Sequence, residues 1–213
     1  MSENSMRKRK ISYRKEKLIH ELERQGKIYI EPNIIQNIPK IYRKIASNED
    51  ELKKVLFGQI GDFPDSLIQF LINAQNIQTS ITTSIKSGHY LRARRTIELN
   101  PIFILKETGG VQEEIVHMLD HLLGGQSDSL HAGLSAGYGI NDKVEELGKE
   151  IYKLYKRGKF FDEYMGKNER EYLAQGVRYL LQEGDEVIED LDSMLYNVIR
   201  NKFLNESFWR ESL

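Results

Sequence analysis

The residues best able to do chemistry stand together in Gly109-Gly110-Val111-Gln112-Glu113-Glu114-Ile115-Val116-His117-Met118-Leu119-Asp120-His121-Leu122-Leu123-Gly124-Gly125. Val111, Ile115, Met118, Leu119 and Leu122 recur at helical spacing, so the stretch predicts one helix with an apolar face in a core and a glycine pair at each end. Glu113 and His117 are four apart and project from the same side of such a helix. Glu114 comes about 100° further round. A carboxylate and an imidazole one turn apart are metal donors, and the carboxylate beside them is a candidate general base.

This is the layout of the zinc-protease helix H-E-x-x-H with glutamate at the first histidine position. The motif needs ligands at i and i+4 and a glutamate that takes a proton from the attacking water. Glu114 and His117 occupy the base and second-ligand positions, and Glu113 stands where the first imidazole belongs. A carboxylate can bind zinc, at the cost of a less electron-poor metal. The ordinary explanation of Glu113 and Glu114 is that acids in a first turn suit the helix dipole. His117 and His121 form a second i, i+4 pair, but no glutamate comes directly after its first histidine and it needs a third ligand. His131 could move in from the glycine-rich stretch 124–140, which predicts a loop long enough to act as a mobile rim.

A zinc site needs one more protein ligand, and Tyr164-Met165-Gly166-Lys167-Asn168-Glu169-Arg170-Glu171-Tyr172-Leu173-Ala174-Gln175 is the best source. Asn168 predicts a helix start, with Tyr172, Leu173 and Val177 facing inward and Glu171 in the first turn. Read alone, Glu171 is a capping-box glutamate three residues after its cap. A second helix that brings a carboxylate to the first would close the site.

The two segments together resemble the catalytic domain of anthrax lethal factor and the related Pro-Pro endopeptidases, a family of zinc metalloproteases. In that family the helix reads H-E-x-G-H, with Asp three and often Gly seven positions after the second histidine; Glu114, His117, Asp120 and Gly124 stand in those places. The second motif is close to N-E-x-E-aromatic-x-A with a tyrosine seven residues before the ligand glutamate, matched by Asn168, Glu169, Glu171, Tyr172, Ala174 and Tyr164. The similarity covers roughly residues 90–203. It implies His117 and Glu171 as metal ligands with Glu113 in the altered third place, and Glu114 as general base. It further implies Tyr164 as a hydrogen-bond donor to the oxyanion, and Asp120 as a support for His117 or for another part of the helix. Val116 replaces the family's glycine. The implied activity is zinc-dependent hydrolysis of peptide bonds. The alternative is a pseudoprotease that keeps the groove as a protein- or peptide-binding module, for which the same toxin family supplies a precedent.

The surrounding elements predict an α+β, mainly helical, zincin-like domain with a small sheet before the central helix. A basic tail and helix occupy residues 1–26, and a single domain occupies 27–213. Ser12 to Gln25 reads as a helix, Lys27 to Glu31 as a strand, and residues 33–46 as a helical set broken near Pro39. Asn48 starts a short helix to about Gly58. Pro64 opens a longer one whose stripe runs from Leu67 to Ile85. One or two strands are expected from His89 to Asn100, completed by Ile102 to Leu105, and an exposed edge there could pair with an extended substrate. Further helices are expected from Asn141, from Asn168, and from about Glu186 to Phe203, the last with Val187, Leu191, Met194, Leu195, Val198 and Ile199 inside.

The chain of 213 residues is 39% hydrophobic and 30% charged, with a net charge of −1. Such a balance gives no overall pull toward nucleic acid or membrane. Only the basic residues among positions 1–17 could bind phosphates, so a protein or peptide rather than nucleic acid is the expected partner. The absence of cysteine excludes disulfides and thiolate metal sites. No apolar run reaches the ~20 residues of a membrane span. Without a recognisable signal peptide the expected location is cytoplasmic, with secretion left open.

Overall fold

The computed structural model describes residues 11–125 and 132–212. Arg7 to Lys10 of the basic tail, and His131, lie outside the described residues. The architecture is α+β and mainly helical: nine α-helices and one four-stranded sheet among the described residues. The strands β1 (Ile28–Ile30), β2 (Gln78–Ile81), β3 (Gly88–Leu91) and β4 (Thr96–Leu99) lie in the order β1-β2-β4-β3. β1, β2 and β4 run parallel, and β3 returns antiparallel at the edge with His89 opposite Glu98 and Tyr90 opposite Ile97.

The helix α1 (Tyr13–Arg24) is capped by Ser12, and its Ile19 and Leu22 join the same core cluster as the later helices. Next come α2 (Glu49–Ile60), capped by Asn48, and α3 (Asp65–Asn73). Residues 33–46 form two short 3-10 turns, Ile34–Asn37 and Tyr42–Lys44, on either side of Pro39. Lys27 fixes the end of α3 by donating from Nζ to the carbonyls of Leu71, Ile72 and Ala74.

The expected long helix from Pro64 is instead α3 and then β2. Ala74 is extended, with φ −62° and ψ 132°, and Asn76 has φ 57°, which stops helical propagation. The β-branched Thr79 and Ile81 then enter the sheet. The residues Ile102 to Leu105 are not a strand either. They lie in α4 (Pro101–Leu105), where Asn100 accepts the Ile102 N–H at 2.8 Å and Pro101 suits the first turn.

The central helix α5 (Gly110–Leu123) matches the glycine-bracketed expectation, with Val111, Ile115, Met118, Leu119 and Leu122 buried. It packs on β3 and β4 on one side and on α7 (Glu169–Glu183) on the other. Asn141 caps α6 (Asp142–Lys156), and Asn168 caps α7. The chain ends in α8 (Asp185–Val198), a π-turn at Ile199–Phe203 and a further helix, α9 (Glu206–Ser212). The predicted inner face of α8 is partly wrong, since Val187, Leu191 and Met194 are exposed. Asp192 breaks the helix at φ −152° and ψ 93° and caps its second half, accepting the N–H groups of Met194 and Leu195 at 3.1 and 3.2 Å. This resets the phase, so Ile188, Asp192, Leu195 and Val198 face inward. Among the described residues no helix is long and apolar enough to cross a membrane.

Candidate metal centre

The start of α5 depends on an absence of side chains. A Cβ on Gly110 would lie 2.0 Å from the ring of Phe103, and one on Gly88 would lie 2.5 Å from the same ring. The ring therefore fills the gap between the edge strand and the helix, and both glycines are required by close approach. At the other end, a Cβ on Gly124 would meet Gly133 Cα at 2.5 Å, and one on Gly133 would meet Asp120 Oδ2 at 2.4 Å. Asp120 uses that approach to accept the Ser135 N–H at 2.6 Å. It thus holds residues 133–135 against the helix rather than orienting His117 directly.

Glu113 and His117 project from α5 toward α7. Asn168 accepts the N–H groups of Arg170 and Glu171 at 3.1 and 3.0 Å, which sets the first turn of α7. The Glu171 carboxylate then meets the imidazole, with Oε2 3.4 Å from His117 Nε2. Donor atoms of Glu113, His117 and Glu171 all lie within 4.8 Å of one another, and this group can hold a metal ion. Val116, on the same helix, is fully buried.

The same cluster carries its own electrostatics. Burial pushes the Glu114 carboxyl up to about 7; the charges of Glu113 and Glu171 add to this, and His117 and a hydrogen bond from the Tyr90 N–H oppose it. Burial also raises Glu113, tempered by the Gln175 amide, His117 and Arg178. For His117, burial works against the charged ring, but the adjoining Glu171 and then Glu114 and Glu113 outweigh it, and its pKa is raised. Asp120 is raised by burial, moderated by its bond to Ser135.

Glu114, His117, Asp120, Tyr164 and Glu171 line one cavity of about 290 Å³. Tyr164 is 41% exposed at its rim. Its hydroxyl is pushed up to about 12 by burial and then by the three glutamates. The loop that carries Tyr164 is tied to α7 by the bond from Tyr179 Oη to Asp162 at 2.6 Å, and Lys167 Nζ lies 3.7 Å from the Tyr164 ring centroid. Five of the six predicted residues therefore line this cavity; Glu113 is not in its lining and joins them through its closeness to His117 and Glu171. His121 does not join them: it is buried, with Nδ1 2.8 Å from Tyr90 Oη.

Sequence reasoning missed the groups that surround this set. Tyr90 braces both Glu114 and His121 from the edge strand. Arg178 lies 3.5 Å from Glu113 and donates to Gln175 at 2.8 Å. Glu171, Gln175 and Arg178 are spaced i, i+4 and i+7, so the polar face of α7 was there to be read. Comparison with known protein families, with characterised proteins and with solved structures finds no match to this chain.

Proposed function

We propose that this chain is a zincin-like metallopeptidase domain of the lethal factor and Pro-Pro endopeptidase kind, with Glu113, His117 and Glu171 as zinc ligands and Glu114 as general base. The observation that carries this reading is the convergence of one imidazole and two carboxylates, from two helices, within 4.8 Å. Tetrahedral ligands at zinc bond lengths stand roughly 3.3 Å apart, and His117 Nε2 and Glu171 Oε2 are 3.4 Å apart. Glu171 Oε2 is also buried, and apart from the His117 imidazole 3.4 Å away it has no polar partner among the described residues.

Zinc held there would supply Lewis acidity toward a water molecule and toward the substrate carbonyl. In the metal-free chain burial holds Glu114 at about 7, and a cation beside it would lower that value toward the ionised form a general base needs. The Tyr90 N–H braces its carboxylate from β3. Tyr164, protonated up to about 12, keeps the hydrogen it would donate to an oxyanion. β3 has a single strand neighbour among the described residues, and an edge strand is where an extended peptide could pair.

A second reading, a catalytically inactive peptide-binding module, draws on Arg178. Its guanidinium gives Glu113 a counter-ion that needs no metal. Metal analysis of the full chain after exposure to zinc separates the two. The peptidase reading expects stoichiometric zinc, lost in Glu171→Gln. It expects Glu114→Gln to keep the zinc and lose about 10²–10⁴-fold in peptide hydrolysis. A chain that takes up no zinc belongs to the second reading.

A further inference from the structure

The cavity that holds Glu114, His117 and Glu171 also has Arg92 and Arg170 in its wall, and the hydrolytic roles proposed for the site use neither. Arg170 is the second residue of α7. A cation in a first turn faces the positive end of the helix dipole, an unfavourable placement. Among the described residues its guanidinium has no hydrogen-bond or ion-pair partner. Arg92, in the turn after β3, donates to the Ala132 carbonyl at 2.5 Å and lies close enough to Arg170 for the two charges to repel. Asp120 attracts both arginines, and Glu114 and Glu171 line the same cavity, but Asp120 Oδ1 is taken by the Ser135 N–H and Oδ2 has no hydrogen-bond partner, so Arg170 is not bonded to it.

Arg170, with unspent donors at a cavity wall beside the already bonded Arg92, makes a place for an anion. The flat fork of arginine matches a carboxylate in particular. At about 290 Å³ the cavity is small for a ligand site. A residue bearing that carboxylate must therefore flank the reacting bond. Resting on the peptidase reading of the site, we infer that the substrate carries a carboxylate next to the scissile peptide bond and that Arg170, seconded by Arg92, selects it. The carboxylate is an Asp or Glu side chain, or the free C-terminus of the peptide.

The test uses the full chain with zinc and alanine-based peptides in which each position in turn is Asp, Glu, Asn, Gln or Lys. Each peptide is made with a free and with an amidated C-terminus. Cleavage gives kcat/KM, and fluorescence anisotropy gives binding to the wild type and to Glu114→Gln without turnover. Carboxylate-bearing peptides are expected to be preferred about 10–100-fold over their amides, the range of a charge-assisted hydrogen bond. Arg170→Gln should erase the preference and Arg170→Lys keep part of it. Arg170→Glu should shift it toward Lys peptides, a gain that a misfolded chain cannot show. Loss on C-terminal amidation assigns the terminal carboxylate, and loss on Asp→Asn exchange assigns the side chain. Cleavage without carboxylate preference, or a preference unchanged in Arg170→Gln, overturns the inference and leaves the peptidase reading standing. Arg170-dependent binding with no cleavage removes the peptidase reading and with it the scissile-bond inference, leaving Arg170 as an anion contact of a binding module. Neither binding nor cleavage removes both.

Discussion

Glu113 separates this site from a two-imidazole zinc helix, and its effects reach its neighbours. Its charge helps to hold Glu114 near 7, and Arg178 stands 3.5 Å away as its counter-ion. Glu113→His would exchange an anion for a neutral donor well suited to zinc. Zinc affinity by chelator competition should rise, the Glu114 titration should move down, and peptide hydrolysis should gain about tenfold, worth ~1.4 kcal/mol of barrier. Unchanged zinc affinity would mean that Glu113 is not in the ligand set. Without metal, the cluster also sets a pH dependence. The carboxyls of Glu114 and Glu113 and the ring of His117 all have folded pKa values raised above their ordinary ones. The folded chain therefore holds protons that the unfolded chain has released, and stability falls as pH rises through that window. For Glu114 the window runs from 4.5 to about 7. The metal-free chain should melt several degrees lower at pH 8 than at pH 5.5, and Glu114→Gln should flatten the slope. A wild-type curve that climbs over this range contradicts the burial assigned to these groups. His117 and Glu171 were legible because a one-turn spacing and an asparagine cap each fix direction. Arg170 and Tyr90 were not, because what they touch depends on which wall faces them after folding.

Among the elements, α5 was the most legible because its limits are set by sterics that glycine records. Gly110 admits the Phe103 ring, and Gly124 admits Gly133. Gly110→Ala should therefore overpack the junction of β3, α4 and α5 and cost about 1–3 kcal/mol in urea unfolding. Phe103→Leu in the same chain should recover part of that loss, since neighbours that share one space are not additive. Additive costs would show that the ring is not what Gly110 accommodates. The elements that misled did so for local reasons. Hydrophobic residues continue at helical spacing from Leu67 to Ile85, but the left-handed Asn76 and the extended Ala74 divide the run into α3 and β2. The stripe on α8 looked continuous because periodicity carries no sign of a cap inside a helix. Asp192 is such a cap, and it is also satisfied by Arg157 at 3.2 Å from the end of α6. A partner that distant in sequence leaves no trace in the local pattern.

At the scale of the whole molecule, the proposed site is a joint. α5 is held by the sheet through β3 and β4, while α7 belongs to the helical half with α6 and α8. Glu113 and His117 come from the first and Glu171 from the second. A cation between them would link the halves, and any ligand that binds only the folded chain stabilises it by RT ln(1 + [L]/Kd), about 2.7 kcal/mol at a hundredfold excess over Kd. Zinc should therefore raise the melting temperature in proportion to the logarithm of its concentration. Glu171→Gln removes the contribution of α7 and one of three crowded carboxylates. The variant should melt at or above the wild-type temperature without metal, because the repulsion is relieved, and should lose most of the zinc-induced rise. Calorimetry at matched zinc activities reads both effects in one series. An equal rise in the variant would place the cation away from the joint and leave α7 bringing only shape to the cavity. A variant that melts well below the wild type without metal would instead make Glu171 a structural partner of His117. The two helices would then be held by the ion pair itself.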